Sequence, residues 1–269
     1  MRLDHAAILA LVQAITEFLP ISSSGHLILL PRLLGWADQG LEFDIATNTG
    51  TLLAVMAYYR RELKDLIVGF VTGARVEGED FVPRRLALQL AVGTFPAAVA
   101  GLLFHDSIAT FARNPLLIAV NAAFFGVLML AADRFGRRER GIADLAWKDV
   151  ILIGLAQALA LNPGTSRSGI TITAALFLGL ARPAAARYSF LLSIPIGILA
   201  AAHSGLGLLK GQAPEVGWSA TLVGIAVSAV AGYLVIGWLL GWLRQRSLTV
   251  FGVYRLLLAI AIVALFWLG

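Results

Sequence analysis

Cysteine is absent from this chain of 269 residues. That excludes disulfides, thiolate nucleophiles and cysteine-ligated metals together. Charge is scarce as well. Asp, Glu, Lys and Arg make up 14% of the residues, where a soluble domain carries about a quarter. There is no Walker A motif and no cysteine-phosphatase signature. The N-terminus holds one arginine ahead of its first apolar run and no A-x-A site follows, so no cleavable signal is expected. What fills the chain is apolar: 59% hydrophobic residues, with a mean hydropathy of +0.83. These values describe an integral membrane protein. Its apolar runs are long and do not alternate, so its spanning elements are helices. The net charge of +5 calls for no nucleic acid, because the basic residues cluster in short loops as membrane topology requires.

Full spans are expected near 45–59, 86–104, 115–132, 185–203, 218–240 and 250–268. Two further apolar regions, 6–34 and 149–181, are broken near their centres by "LPISSSG" and "NPGTSRSG". Proline and glycine interrupt helices, and non-helical backbone at membrane depth is tolerated only inside protein or along a wet cavity. Each broken region is therefore read as a re-entrant helix–loop–helix hairpin. The segment 63–74 is too short to span and is expected to lie in the interface.

Charge sets the orientation. Loops 60–85 and 133–148, with Arg182, Arg187, Arg244 and Arg246, hold fifteen of the 21 Lys and Arg. The opposing loops, near 105–114 and 204–217, carry only Arg113 and Lys210. The first set is expected in the cytoplasm. The first hairpin then opens outside, the second opens inside, and both termini lie outside. The expected fold class is an all-α integral membrane protein, with six full transmembrane helices plus two re-entrant hairpins in an inverted-topology repeat. The repeats are about 1–134 and 145–269 within a single membrane domain. A weak internal match agrees: Gln13, Ser22 and Gly25 fall on Gln157, Ser166 and Gly169 at one offset. In such folds the broken helices meet near the midplane and form the site there.

The two breaks carry the chemistry. Gln13 and Glu17 are four apart and share a helix face. An intramembrane carboxylate suggests function: Glu17 could bind a divalent metal, act as a general base, or hold Arg167 in a structural ion pair. Gly25 is expected to open a tight turn, with free amides forming an anion-binding concavity. Ser22, Ser23 and Ser24 either add donors to it or cap the next helix. His26 could be a nucleophile, a general acid or base, or a core histidine. His5, His105 and His203 lie near span ends and read as interfacial. In the second break, Arg167 reads as the only arginine deep in an apolar region, and a guanidinium suits bidentate phosphate recognition. Thr165, Ser166 and Ser168 supply hydroxyls; Gly164 and Gly169 open the backbone. Together these describe a phosphate site. A covalent step on Ser22 or Ser23 is expected, with His26 placed to accept the proton. Attack by His26 or by a metal-bound water stays open.

"QAITEFLPISSSGH" and "PGTSRSG", in this order and spacing, resemble the undecaprenyl-diphosphate phosphatase, or bacitracin-resistance, family of bacterial inner-membrane enzymes. The resemblance covers nearly the whole chain. It implies removal of the terminal phosphate from undecaprenyl diphosphate, which recycles the carrier lipid for cell-wall synthesis. It implies a divalent cation (Mg²⁺ or Ca²⁺), a polyprenyl diphosphate partner in the membrane, and a homodimer as one available assembly. It carries function onto Glu17, Ser22, Ser23, His26 and Arg167, with lesser weight on Gln13, Ser166 and Ser168. Gln13 is the neutral option at the first position of an E/Q-x-x-x-E motif, which leaves one acid there for a metal.

Two rivals are weaker. Lipid phosphatases of the phosphatidic-acid-phosphatase type place a nucleophilic histidine shortly after a Ser-Arg pair, and none follows Ser166–Arg167. A phospholipid or lipid-phosphate transporter or flippase would share the inverted repeat, with Glu17 and His26 as a proton relay.

Overall fold

The computed structural model describes residues 1–73, 81–104, 113–209 and 215–267, without the side chains of 203–209 and 267, and the regular elements among the described residues are helices. Arg75, His105 and Lys210, and the side chain of His203, lie outside them. In chain order the helices are α1 (Leu3–Phe18), α2 (Ser23–Leu34), α3 (Gly40–Tyr58), α4 (Arg60–Thr72), α5 (Pro83–Leu103) and α6 (Pro115–Phe135). After a single 3₁₀ turn at Ile142–Asp144 come α7 (Trp147–Leu159), α8 (Arg167–Phe177), α9 (Arg182–Leu209), α10 (Trp218–Leu243) and α11 (Thr249–Trp267).

Local chemistry sets several of these boundaries. Pro83 and Pro115 open α5 and α6 at the helix position that tolerates a missing N–H. Asn114 caps α6 by accepting from the Leu117 amide at 3.1 Å. Gly35 and Gly73 close α2 and α4 in the left-handed conformation.

Among the described residues, five helices are long and apolar enough to cross a membrane: α5, α6, α9, α10 and α11. The expected span at 45–59 lies inside α3, which starts earlier and carries Glu42, Asp44 and Asn48, so its composition falls short of the other five. Helices α1, α2, α7 and α8 have 16, 12, 13 and 11 residues. At 1.5 Å per residue none exceeds roughly 24 Å, against the ~30 Å of a hydrocarbon core. Within each pair the helices pack on each other, α1 on α2 and α7 on α8. Helix α4 covers residues 63–72 of the short segment expected at 63–74 and starts three residues earlier. It buries Glu62, Leu66 and Gly69 against the bundle and exposes Ile67, Phe70 and Val71.

The packing is reciprocal. Helix α1 lies against α10, and α7 against α5; α3 packs on α10 and α9 on α5; α6 pairs with α11. Small residues make these approaches close, since helices in lipid associate by packing rather than by expelling water. On α10, Gly224, Ser228 and Gly232 form a buried stripe under Phe43 and Phe18. On α3, a Cβ at Gly50 would collide with Ser228 Oγ and the Ile225 carbonyl. Gly50→Val is therefore expected to destabilise the fold by about 1–3 kcal/mol or more through overpacking. Thermal unfolding in detergent should show this drop, while Gly241→Ala, whose Cβ meets nothing within 4 Å, should match the parent.

Candidate active site

The two chain breaks lie between α1 and α2 and between α7 and α8. The residue that turns the chain is a serine in each. Ser22 has φ 74° and Ser166 has φ 67°, and both are N-cap residues of the helix that follows. A non-glycine residue there is strained and persists only where its surroundings hold it. The tight turn expected at Gly25 is therefore at Ser22 instead. Gly25 sits inside α2, where an added Cβ would stand 3.2 Å from Leu258, so its smallness serves packing. Gly164 does act as a turn glycine, with φ +86°, and a side chain there would strike the Ile118 backbone.

The two caps differ. Ser166 Oγ accepts from the Gly169 amide at 3.2 Å and so caps α8 itself. Ser22 makes no side-chain cap; its hydroxyl sits 3.2 Å from that of Ser24. The N-terminus of α2 thus keeps amides free for an anion, with the positive end of the helix dipole behind them.

Glu17, at the end of α1, joins the two breaks. Its Oε1 accepts from Arg167 Nη2 at 3.0 Å, and its Oε2 accepts from Ser23 Oγ at 3.0 Å and Gln13 Nε2 at 3.3 Å. Gln13 also donates to Asn48 Oδ1 on α3 at 2.6 Å. Arg167 spends its other nitrogen on the Ser189 carbonyl at 3.1 Å. Ser168 Oγ donates to the Glu17 carbonyl at 2.9 Å, and the Gly164 amide donates to Ser24 Oγ at 3.2 Å. The Glu17–Arg167 pair is 17% and 16% exposed, enough for a ligand to reach it.

Two cavities meet at this pair. One, of about 350 Å³, is lined by Gln13, Glu17, Ser22, Ser23, Ser24, Asn48, Gly164, Ser166 and Arg167, with Asp44 and Arg113 also on its wall. Arg113 bridges Asp38 and Asp44, each at 2.7 Å. The other, of about 200 Å³, lies between α3 and α9: Ile45, Leu52, Val55, Ile196 and Ala200 give it an aliphatic wall, with Asn48, Thr49, Thr51 and Ser193 beside Glu17 and Arg167. A polar chamber and an apolar one share one ion pair.

Several predicted residues take other places. His26 does not line the polar chamber. Its Nδ1 meets the Ser22 carbonyl and its Nε2 meets the Tyr254 hydroxyl, both at 2.7 Å. Thr165 is fully buried with an unpartnered hydroxyl, and Ser168 and Gly169 are buried in α8. Asn48 and Tyr254 carried no signal in sequence, since a lone amide or phenol in an apolar helix is common. Arg167 is not the only deep arginine. Arg255, nearly two turns into α11, is wholly buried. In sequence it falls within the expected span 250–268 with nothing to single it out; carbonyls at the two breaks and on α6 hold its guanidinium inside the bundle.

With that geometry in hand, the relatives are informative. The model of the family described as bacitracin resistance protein BacA matches residues 6–261. An undecaprenyl-diphosphatase of Thioalkalivibrio sulfidiphilus is 49% identical, over 99% of this chain and 100% of its own length. One from Magnetococcus marinus is 50% identical over 98% and 99%. An undecaprenyl-diphosphatase 2 of Stutzerimonas stutzeri is 47% identical over 99% of each. A match of this extent takes in nearly the whole fold, and the chain belongs to the bacitracin resistance protein BacA family.

Proposed function

We infer that this chain is an undecaprenyl-diphosphate phosphatase, a multi-pass protein of the bacterial inner membrane that regenerates undecaprenyl phosphate for cell-wall synthesis and so confers bacitracin resistance. The observation that carries the reading is the Ser23–Glu17–Arg167 constellation at the junction of a polar and an apolar chamber. A lipid diphosphate has that same division. Its phosphates suit the hydroxyls and amides of the first break, and the first isoprene units suit the aliphatic wall between α3 and α9.

The chemistry follows from the contacts. Ser23 Oγ already donates to Glu17 Oε2, the arrangement of a nucleophile beside its base. Ser23 attacks the terminal phosphorus and Glu17 takes its proton. The bond from that phosphorus to the bridging oxygen breaks, and undecaprenyl phosphate leaves with the electron pair. The helix N-terminus at Ser22–Ser24 and the Arg167 guanidinium stabilise the charge that builds on the equatorial oxygens. Protonation of Glu17 loosens its hold on Arg167 and frees the fork for phosphate. The departing undecaprenyl phosphate takes the proton from Glu17; water, with the restored carboxylate as base, then attacks the phosphorus, the Ser23 Oγ–P bond breaks, Ser23 recovers a proton from Glu17 and orthophosphate is released. His26, engaged at both ring nitrogens, orients the first break through the Ser22 carbonyl.

A divalent cation fits this donor set in one manner only. No group of three or more His, Asp or Glu side chains is placed to hold a metal among the described residues. Mg²⁺ commonly takes one or two carboxylates and completes its shell with substrate phosphates. Glu17 and the Oε1 of Gln13, which is buried and unpartnered, would hold it with Asn48. There it would neutralise diphosphate charge.

The finer architecture belongs to the same reading: two hairpins, α1–α2 and α7–α8, interlocked with six spans as an inverted repeat, the site opening to the periplasm. The reciprocal packing and the paired positive-φ serines support it. Both termini are then periplasmic. A C-terminal alkaline phosphatase fusion should be active and a green fluorescent protein fusion dark; the reverse pattern would overturn the span count. The function itself is tested by orthophosphate release from undecaprenyl diphosphate by the purified chain. Release is expected, and a folded protein that binds the lipid yet frees no phosphate would point to a carrier instead.

A further inference from the structure

Arg255 stands apart from the other partly buried arginines. Arg113, Arg140, Arg167, Arg182 and Arg187 each reach a carboxylate. Arg255 is more buried than any of these, at 0% exposure, and among the described residues it has no carboxylate partner. Its fork donates only to carbonyls. Nη1 reaches Pro20 in the first break at 3.4 Å, and Nη2 reaches Gly164 in the second at 3.0 Å. Nη2 also reaches Asn121, and Nε reaches Ala122, both on α6. One side chain on α11 thus ties both breaks to α6.

Carbonyl dipoles satisfy its hydrogen bonds but leave its full charge uncompensated. An isolated charge away from water is costly, and intramembrane cations mark substrate paths for that reason. The polar chamber lies one residue away. Gly164 gives its carbonyl to Arg255 and its amide to Ser24 on the chamber wall. Nη1 presses on Gly169, where an added Cβ would stand 2.8 Å from it. Within a poorly polarisable interior a charge is felt across such a wall.

We propose that Arg255 is a positioning residue of the phosphate site: its fork locks the two breaks together from behind the chamber, and the bound phosphate supplies the counter-charge it otherwise lacks. This rests on phosphate binding at the two breaks. It adds a second cation to Arg167, one that never touches substrate. It also explains how strained φ values persist at Ser22 and Ser166, since the breaks on either side are pinned to one rigid group.

The test uses the full chain in detergent micelles and measures kcat, KM and product inhibition by orthophosphate. Arg255→Lys keeps the charge and loses the fork, so kcat should fall about tenfold while the orthophosphate inhibition constant stays within about threefold. Arg255→Gln loses the charge, so KM and that constant should both rise by about tenfold or more. A residue serving structure alone would alter kcat and melting temperature without separating the two variants in phosphate inhibition. Equal inhibition constants for Lys and Gln therefore overturn the proposal. If neither variant accumulates as folded protein, Gly169→Ala takes their place. Its methyl displaces the fork and retains the charge, so kcat should drop about tenfold with phosphate inhibition unchanged; full kcat there overturns the clamp. Ser23→Ala and Arg167→Lys serve as controls. Both should lose most of their kcat if the site is placed correctly. Near-parental kcat in both would refute the site itself, whereas impaired controls with unseparated Arg255 variants refute only the role given to Arg255.

Discussion

Replacing Ser23 with alanine is expected to lower kcat on the order of 10⁴–10⁶-fold, leaving only the slow background that a site retains when its nucleophile is lost. The reason is positional. Of the three serines in the first break, Ser23 is the one whose hydroxyl meets a carboxylate, at 3.0 Å from Glu17 Oε2. Ser22 is 1% exposed and its hydroxyl is turned to Ser24. His26 holds the Ser22 carbonyl with one nitrogen and Tyr254 with the other. Substrate labelled in its terminal phosphate should leave an acid-stable, alkali-labile phosphoserine when the reaction is quenched. That adduct should survive in Ser22→Ala and His26→Ala and vanish in Ser23→Ala. Glu17→Gln should form it slowly, because the amide cannot take the proton. An acid-labile, alkali-stable adduct that disappears with His26→Ala would instead make the histidine the nucleophile. Ser23→Ala retaining near-parental kcat would leave attack by water.

This assignment differs from the sequence expectation in one respect, and the difference shows what a linear reading can carry. The breaks, the pairing of Glu17 with Arg167 and the serine-lined pocket were all legible, because a polar cluster between apolar runs has few other uses inside a membrane. The partner of the Ser23 hydroxyl was less so, since Glu17 as a base was one option among three. Proximity in sequence put His26 beside Ser22 and Ser23, but helix α2 begins at Ser23, so His26 comes round almost a full turn later and follows the Ser22 carbonyl toward α11. Glu17, six residues before Ser23 and across the break, is the group the fold places against the Ser23 hydroxyl. The turn was misplaced for a similar reason. Glycine is the cheapest residue at positive φ, so Gly25 drew the expectation, whereas the fold imposes that strain on Ser22 and Ser166 alike and uses Gly25 to admit Leu258. Arg255 was hidden because no local pattern distinguishes an arginine that snorkels from one that turns inward. Only the positions of Pro20 and Gly164, supplied by distant parts of the chain, decide it. The expected span at 45–59 starts later than α3 does because the polar face of that helix, with Asp44 and Asn48, lines the chamber and dilutes the apolar signal.

The second large effect is expected at Arg167. Its guanidinium holds Glu17 through one nitrogen and the Ser189 carbonyl through the other, so the fork is oriented before substrate arrives. As Glu17 takes the proton of Ser23, the nitrogen at 3.0 Å from Oε1 becomes available to phosphate without any movement of the helix that carries it. Lysine keeps the charge, but it is a compact ammonium and cannot hold Ser189 and phosphate in one plane. Losing a contact of this kind costs about 3–4 kcal/mol of transition-state stabilisation, so Arg167→Lys should lower kcat on the order of 10²–10³-fold. KM should change little, because the ground-state phosphate is still held by the amides and hydroxyls of the first break. Steady-state phosphate release with saturating lipid diphosphate measures both. A lysine variant with near-parental kcat and raised KM would make Arg167 a charge that attracts substrate, and stabilisation of the transferring phosphoryl group would then fall to the α2 N-terminus alone. The pair also has a structural side that alanine exposes. Arg167→Ala leaves Glu17 without the guanidinium that holds its Oε1 at 3.0 Å, so the carboxylate loses its orientation toward Ser23 and an unpaired charge stays in a mostly buried setting. Alanine should therefore be worse than lysine in kcat, and part of that loss should appear as a lower melting temperature that the lysine variant does not share.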